Sequence, residues 1–124
     1  MIDVLEIEIG MRSSVWEFAR ETAEMWLSDE MMAITEEQVL VVATPAHLED
    51  EAMCERIISL IANTPGLADR VADTVASHGA DPRRSSLSLT IRRDDAAPTG
   101  LGNPWRGAER MRALLGGSDS EIYV

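Results

Sequence analysis

The chain opens on an alternation in which Leu5, Ile7 and Ile9 fall on one side and Glu6 and Glu8 on the other, the period of two that marks a strand with one buried face. Gly10 closes it. Ser14 and Glu17 then stand at capping-box spacing, and residues 15–27 plot as an amphipathic helix. Val15, Trp16, Phe18, Ala19, Ala23, Met25, Trp26 and Leu27 fill its broad apolar face, while Glu17, Arg20, Glu21, Glu24 and Ser28 share the opposite one. Asp29 and Glu30 fall near the apolar side and end it. The continuous run from Val39 to Ala43 predicts a central strand covered on both faces or held inside a tight core.

Three Thr-Pro or Asn-Pro pairs, Thr44-Pro45, Thr64-Pro65 and Asn103-Pro104, repeat one device: a capping residue followed by proline at the first helical position. They predict a helix over 45–62, a shorter one after 65 closed by His78 and Gly79, and a last one over about 104–115. Between the second and third, Leu87, Leu89 and Ile91 alternate with Ser86, Ser88, Thr90 and Arg92, a third strand with one face in water. Residues 94–103, rich in small residues, Gly and Pro, read as a surface loop. Residues 121–124 are apolar enough to add a short edge strand or to dock on a partner. The order β-α-β-α-α-β-α, with that optional terminal strand, predicts an α+β fold: a two-layer sandwich of a small mixed sheet of three or four strands and about four helices. One globular domain over 1–124 is the expectation for this length.

Charge narrows the choice of partner. The net charge is −11, and it is divided: residues 1–55 carry 14 acids against Arg12 and Arg20, a net −12, whereas residues 56–124 carry 8 acids against 9 arginines, a net +1. Such a surface disfavours nucleic acid and anionic membrane, which need positive potential, and suits a basic protein partner or self-association. All the basic residues besides the two histidines are arginine. No apolar run reaches the length of a membrane span, and the first residues carry acids where a signal peptide has bases, so the expected compartment is the cytoplasm. The single cysteine, Cys54, lies on an apolar helical arc, where a buried and inert thiol is expected.

Candidate chemistry is sparse. His47, Asp50 and Glu51 stand at helical spacings that can share one surface, but a metal site needs more ligands, and no cofactor is expected. His78, at a helix end, reads as a cap favoured by the helix dipole. No Gly-x-Ser-x-Gly elbow occurs, and Gly100-Leu101-Gly102 lacks both the Lys-Ser or Lys-Thr pair of a phosphate loop and the third glycine of a dinucleotide fingerprint. Arg83 and Arg84 with Arg92 and Arg93 flank the third strand and are expected to form an Arg-rich strand edge, the one basic patch. Glu17, Glu21 and Glu24 form an acidic stripe in which Glu17 and Glu21 are like charges one turn apart, a mildly unfavourable arrangement. Trp16, Trp26 and Trp105 are core residues by default and interface anchors where exposed.

The absence of catalytic motifs and the charge division lead to a non-catalytic protein-interaction module working through the acidic helical face and the Arg-rich strand. A subunit of an oligomeric assembly, such as a phage-tail-like ring of head-to-tail copies, is the first form of it. An acidic antitoxin-like or immunity-like inhibitor of a basic partner is the second. A small enzyme or ligand-binding protein using His47, Asp50 and Glu51 is the rival class. Residues 65–84, PGLADRVADTVASHGADPRR, faintly resemble the helix-to-strand passage of some long-tailed phage tail-terminator subunits, without the strands that precede it there. The chain is matched to no family on these residues.

Overall fold

A computed structural model describes residues 4–79, 81–97 and 104–116. The alternating segments become strands β1 (Val4–Met11) and β4 (Ser86–Arg93), and the apolar run becomes β3 (Gln38–Ala43). A short strand, β2 (Met32–Ile34), joins them in a four-stranded mixed sheet of order β1-β4-β3-β2. β1 runs parallel to β4, and the other two pairings are antiparallel. The register places Leu5, Ile7 and Ile9 beside Leu87, Leu89 and Ile91, and these beside Ala43, Val41 and Val39, so one face of the sheet is a continuous apolar surface.

The helices bury that face. α1 (Ser13–Trp26) contributes Trp16, Ala19 and Ala23; α3 (Glu51–Asn63) contributes Cys54, Ile57, Ile58, Leu60 and Ile61; α4 (Leu67–His78) contributes Leu67 and Val71. α2 (Pro45–Glu49) and α5 (Pro104–Met111) complete the five helices of the described residues, and α5 continues into a π-helical turn over Arg112–Gly116. Single 3₁₀ turns lie at Asp29–Met31 and Pro82–Arg84. The architecture is α+β, a helical layer on one face of a small mixed sheet, as the residue pattern predicts.

Four expectations need correction. The run Val39–Ala43 is covered on one face only: Val39, Val41 and Ala43 are buried, whereas Val42 is exposed and Leu40 half-buried. Phe18 and Met25 point away from the core, because an apolar arc that wide exceeds what one sheet and one neighbouring helix can cover. The predicted 45–62 helix breaks at Asp50, which is both the C-cap of α2 and the N-cap of α3, its side chain accepting the Met53 N–H at 3.1 Å. Finally, β4 lies inside the sheet, so the arginines at its ends do not mark a strand edge.

The cap-proline devices differ in outcome. Thr44 caps α2 as expected, with His47 completing a capping box by accepting the Thr44 N–H on Nδ1 at 3.0 Å. Thr64 instead ends α3, its hydroxyl donating to the Leu60 carbonyl at 2.7 Å, and Gly66, at a φ of 80°, opens α4. The proline there fixes the turn, and glycine takes the left-handed position that a side chain would strain. The Ser14–Glu17 capping box does not form: α1 starts at Ser13, and Glu17 pairs with Arg20. The terminal strand expected over 121–124, and most of the loop expected over 94–103, lie outside the described residues.

Candidate functional site

Two surfaces stand out, and they lie on different parts of the helical layer. The first is the outer face of α1. Burial of Trp16, Ala19, Thr22 and Ala23 fixes the helix rotation, and this leaves Glu17, Phe18, Glu21, Glu24 and Met25 on the solvent side. Phe18 is 56% and Met25 77% exposed. Arg20 bridges the acidic stripe, pairing with Glu17 at 2.8 Å and with Glu24 one turn on, while Glu21 has no ion-pair partner among the described residues. The guanidinium therefore offsets the repulsion that the glutamate spacing implies, and its pKa is raised above the ordinary value by those two hydrogen bonds, Glu17 first.

The second surface is a cleft of about 480 Å³ at the carboxyl ends of the parallel strands β1 and β4. Its walls include Ile9, Val15 and Pro65, and three arginines, Arg12, Arg70 and Arg92, line it with one acid, Asp94. Position follows from a knot of hydrogen bonds between the start of α1 and the segment after β4. The Asp94 N–H donates to the Met11 carbonyl at 2.7 Å, Arg12 Nε donates to the Ala97 carbonyl at 2.9 Å, and the Ser13 N–H and hydroxyl donate to Asp95 at 3.1 and 2.6 Å. Asp95 thus supplies the acceptor that α1 lacks at its own N-cap. Gly10 fits closely into this packing, since a Cβ there would stand 3.2 Å from that of Asp94, which would have to shift by a few tenths of an ångström.

The Asp95 carboxyl is held below its ordinary value of 3.8, first by the Ser13 hydroxyl, then by the Ser13 N–H, with Arg93 and Arg12 adding weakly. A depressed carboxylate pKa stabilises the fold above the unfolded-state value and loses that contribution as pH falls through the folded-state value. Asp95→Asn is accordingly expected to lower the thermal midpoint at neutral pH. The gap from the wild type should close as pH drops below about 3.8. Parallel thermal melts between pH 7 and pH 2.5 read this directly, and a gap that is constant with pH would show that the Asp95 charge contributes nothing.

The other sequence candidates separate. His47, half-buried, and Asp50 serve as capping groups at successive helix starts, and Glu51 is exposed in the first turn of α3. The helix break at Asp50 disrupts the spacing that would have gathered the three, and among the described residues no group of three or more His, Cys, Asp or Glu is placed to hold a metal ion. His78 Nδ1 lies 2.9 Å from the Thr74 carbonyl, the cap arrangement expected of it, and the residue is exposed. Cys54 is buried.

Arg83 and Arg84 sit in the 3₁₀ turn before β4, and Arg92 and Arg93 at its far end, on the order of 25 Å away for a strand of this length. They form two separate groups. Arg84 reaches Asp81 at 3.8 Å, Arg92 pairs with Glu8 at 2.9 Å, and Arg93 lies over the Trp16 ring at 5.8 Å from its centroid. The cleft was not legible in the sequence because its three arginines come from the residue after β1, from α4 and from β4, which the parallel pairing of β1 with β4 and the packing of α4 against β1 bring together.

In comparison with known proteins, the chain matches no family model, no curated protein and no solved structure. Among the described residues no helix is long and apolar enough to cross a membrane.

Proposed function

We propose that the chain is a non-catalytic protein-interaction module whose docking surface is the outer face of α1. The observation that carries the reading is the exposure of Phe18 and Met25 on the face they share with Glu17, Glu21 and Glu24. A solvated helix face has no need of two large apolar side chains. Covering what each still exposes contributes about 1–2 kcal/mol, and the surrounding carboxylates select a basic partner and speed its approach. A protein surface that combines apolar and arginine side chains meets both requirements. A second copy offers such arginines in the exposed Arg83 and Arg84, and pairing of unlike faces would generate head-to-tail rings or stacks.

The test is the native mass by light scattering on a sizing column at low and high salt, for the chain alone and re-isolated from its host lysate. The expected result is a discrete assembly, with itself or with a basic protein, that weakens at high salt and is lost in the Phe18→Ser, Met25→Ser double variant. Because both positions are exposed, the double variant should keep the circular dichroism and melting behaviour of the wild type. A monomer in both samples, or an assembly indifferent to the double variant, would sink the proposal.

A further inference from the structure

We propose that the cleft at the carboxyl ends of β1 and β4 is a binding site for a small organic phosphate, a function separate from docking at α1. Its volume of about 480 Å³ lies inside the roughly 300–1,000 Å³ of small-molecule sites. It lies beyond the carboxyl ends of the one parallel strand pair, the end at which open α/β sheets hold their ligands. What distinguishes it chemically is charge. Three arginines and one acid line it in a chain whose net charge is −11, and of the three only Arg92 is ion-paired among the described residues, with Glu8.

Donors remain available on each guanidinium. Arg12 commits Nε to the Ala97 carbonyl and Arg92 commits Nε to Glu8, which leaves the terminal nitrogens of both. Arg70 makes no side-chain hydrogen bond or ion pair with the described residues, although several acids lie elsewhere on the helical layer. A phosphate, with its three acceptor oxygens and up to two negative charges, can engage more than one planar guanidinium fork at once, which a single carboxylate does less well. The apolar wall of Ile9, Val15 and Pro65 suits a carbon skeleton attached to that phosphate, and Asp94 offers an acceptor for a hydroxyl beside it.

The geometry at the start of α4 adds to this. Gly66 lines the cleft in the left-handed conformation, with no side chain capping the first turn of a 12-residue helix. The Leu67 N–H of that turn already donates to the Thr64 carbonyl at 3.0 Å, so what this end of the helix offers an anion in the cleft is its dipole.

The experiment is a titration with glycerol 3-phosphate, followed by calorimetry and by thermal melting, against sodium chloride at matched ionic strength. The wild type should show saturable binding and a rise in melting temperature that chloride does not reproduce. Arg70→Ala, at an exposed residue whose side chain has no partner among the described residues, should fold normally and weaken the affinity at least ten-fold. Arg83→Ala, at the other end of β4, should leave it unchanged. An acidic chain binds anions poorly in general, so absence of saturation, or an affinity equally reduced or equally preserved in both variants, would overturn the site. Loss of the α1 assembly in the Phe18→Ser, Met25→Ser variant has no bearing on this outcome, and the two proposals fail separately.

Discussion

Trp16→Ala is expected to cost about 3–5 kcal/mol of stability, a large share of the roughly 5–15 kcal/mol available to a domain. Among the described residues Trp16 is the largest fully buried side chain, at 2% exposure, and it fills the junction between α1 and the end of β4. Its indole Nε1 donates to the Ile91 carbonyl at 3.0 Å in the interior, so truncation removes the ring's contacts and that hydrogen bond and opens a cavity. Trp16→Phe separates the contributions in part: it keeps most of the volume and removes the hydrogen bond with the ring atoms around it, for an expected loss of about 1–2 kcal/mol. Urea melts followed by far-ultraviolet circular dichroism check both, with the slope unchanged and the midpoint shifted. A loss below about 1 kcal/mol for Trp16→Ala would mean that the side chain does not occupy this position. The variant also loosens the start of α1, which carries both the docking face and the Arg12 wall of the cleft.

The elements legible in the sequence are those with a period or a cap. β1 and β4 were readable because one buried face forces strict alternation, and their pairing register keeps that alternation continuous from Ile9 to Ile91 to Val39. Thr44-Pro45 was readable because a hydroxyl cap and a proline each satisfy a defined requirement of a first turn. β2 was not. Three residues are too few to show a period, and its hairpin with β3 is fixed by the Thr35 hydroxyl, which accepts the N–H groups of Glu37 and Gln38, a local device that composition conceals. The break at Asp50 was hidden for a related reason: an acid in a helical run scores as helical until its side chain turns back to accept the Met53 N–H.

The interaction face was legible in its charges and illegible in its apolar residues. The glutamate stripe follows from a helical projection, but Phe18 and Met25 belong by pattern to the apolar arc, and only the rotation imposed by Trp16, Ala19 and Ala23 turns them outward. The cleft follows the same logic in tertiary form. Arg12 and Arg92 are 80 positions apart in the chain, and they line one cleft because Met11 and Arg93 end adjacent strands in register. Local sequence carries the identity of such groups, and topology carries their meeting.

Gly107→Leu is expected to undock α5 at a cost of about 1–3 kcal/mol, through crowding rather than through loss of a contact. α5 crosses close over α3 and α4 at this glycine: a Cβ built there would stand 3.3 Å from Ala62 Cα and 3.3 Å from Ala68 Cβ, with the Ala62 carbonyl at 3.5 Å. The nearest atom is backbone, and the small residues on all three helices are what allow the approach. Gly107→Ala tests the same contact more gently. Alanine favours the helix by up to about 1 kcal/mol, against a neighbour that must yield a few tenths of an ångström, so the two effects nearly cancel. Leucine adds no comparable gain in propensity and brings atoms for which there is no space. The pairs Arg110–Asp69 and Arg112–Glu55, which tie α5 and the following turn to α4 and α3, are exposed and too weak to hold the helix in place against that crowding. Denaturant melts of the two variants, with proteolysis to report exposure of α5, distinguish the cases. A leucine variant as stable as the wild type would show that α5 does not pack where Gly107 places it.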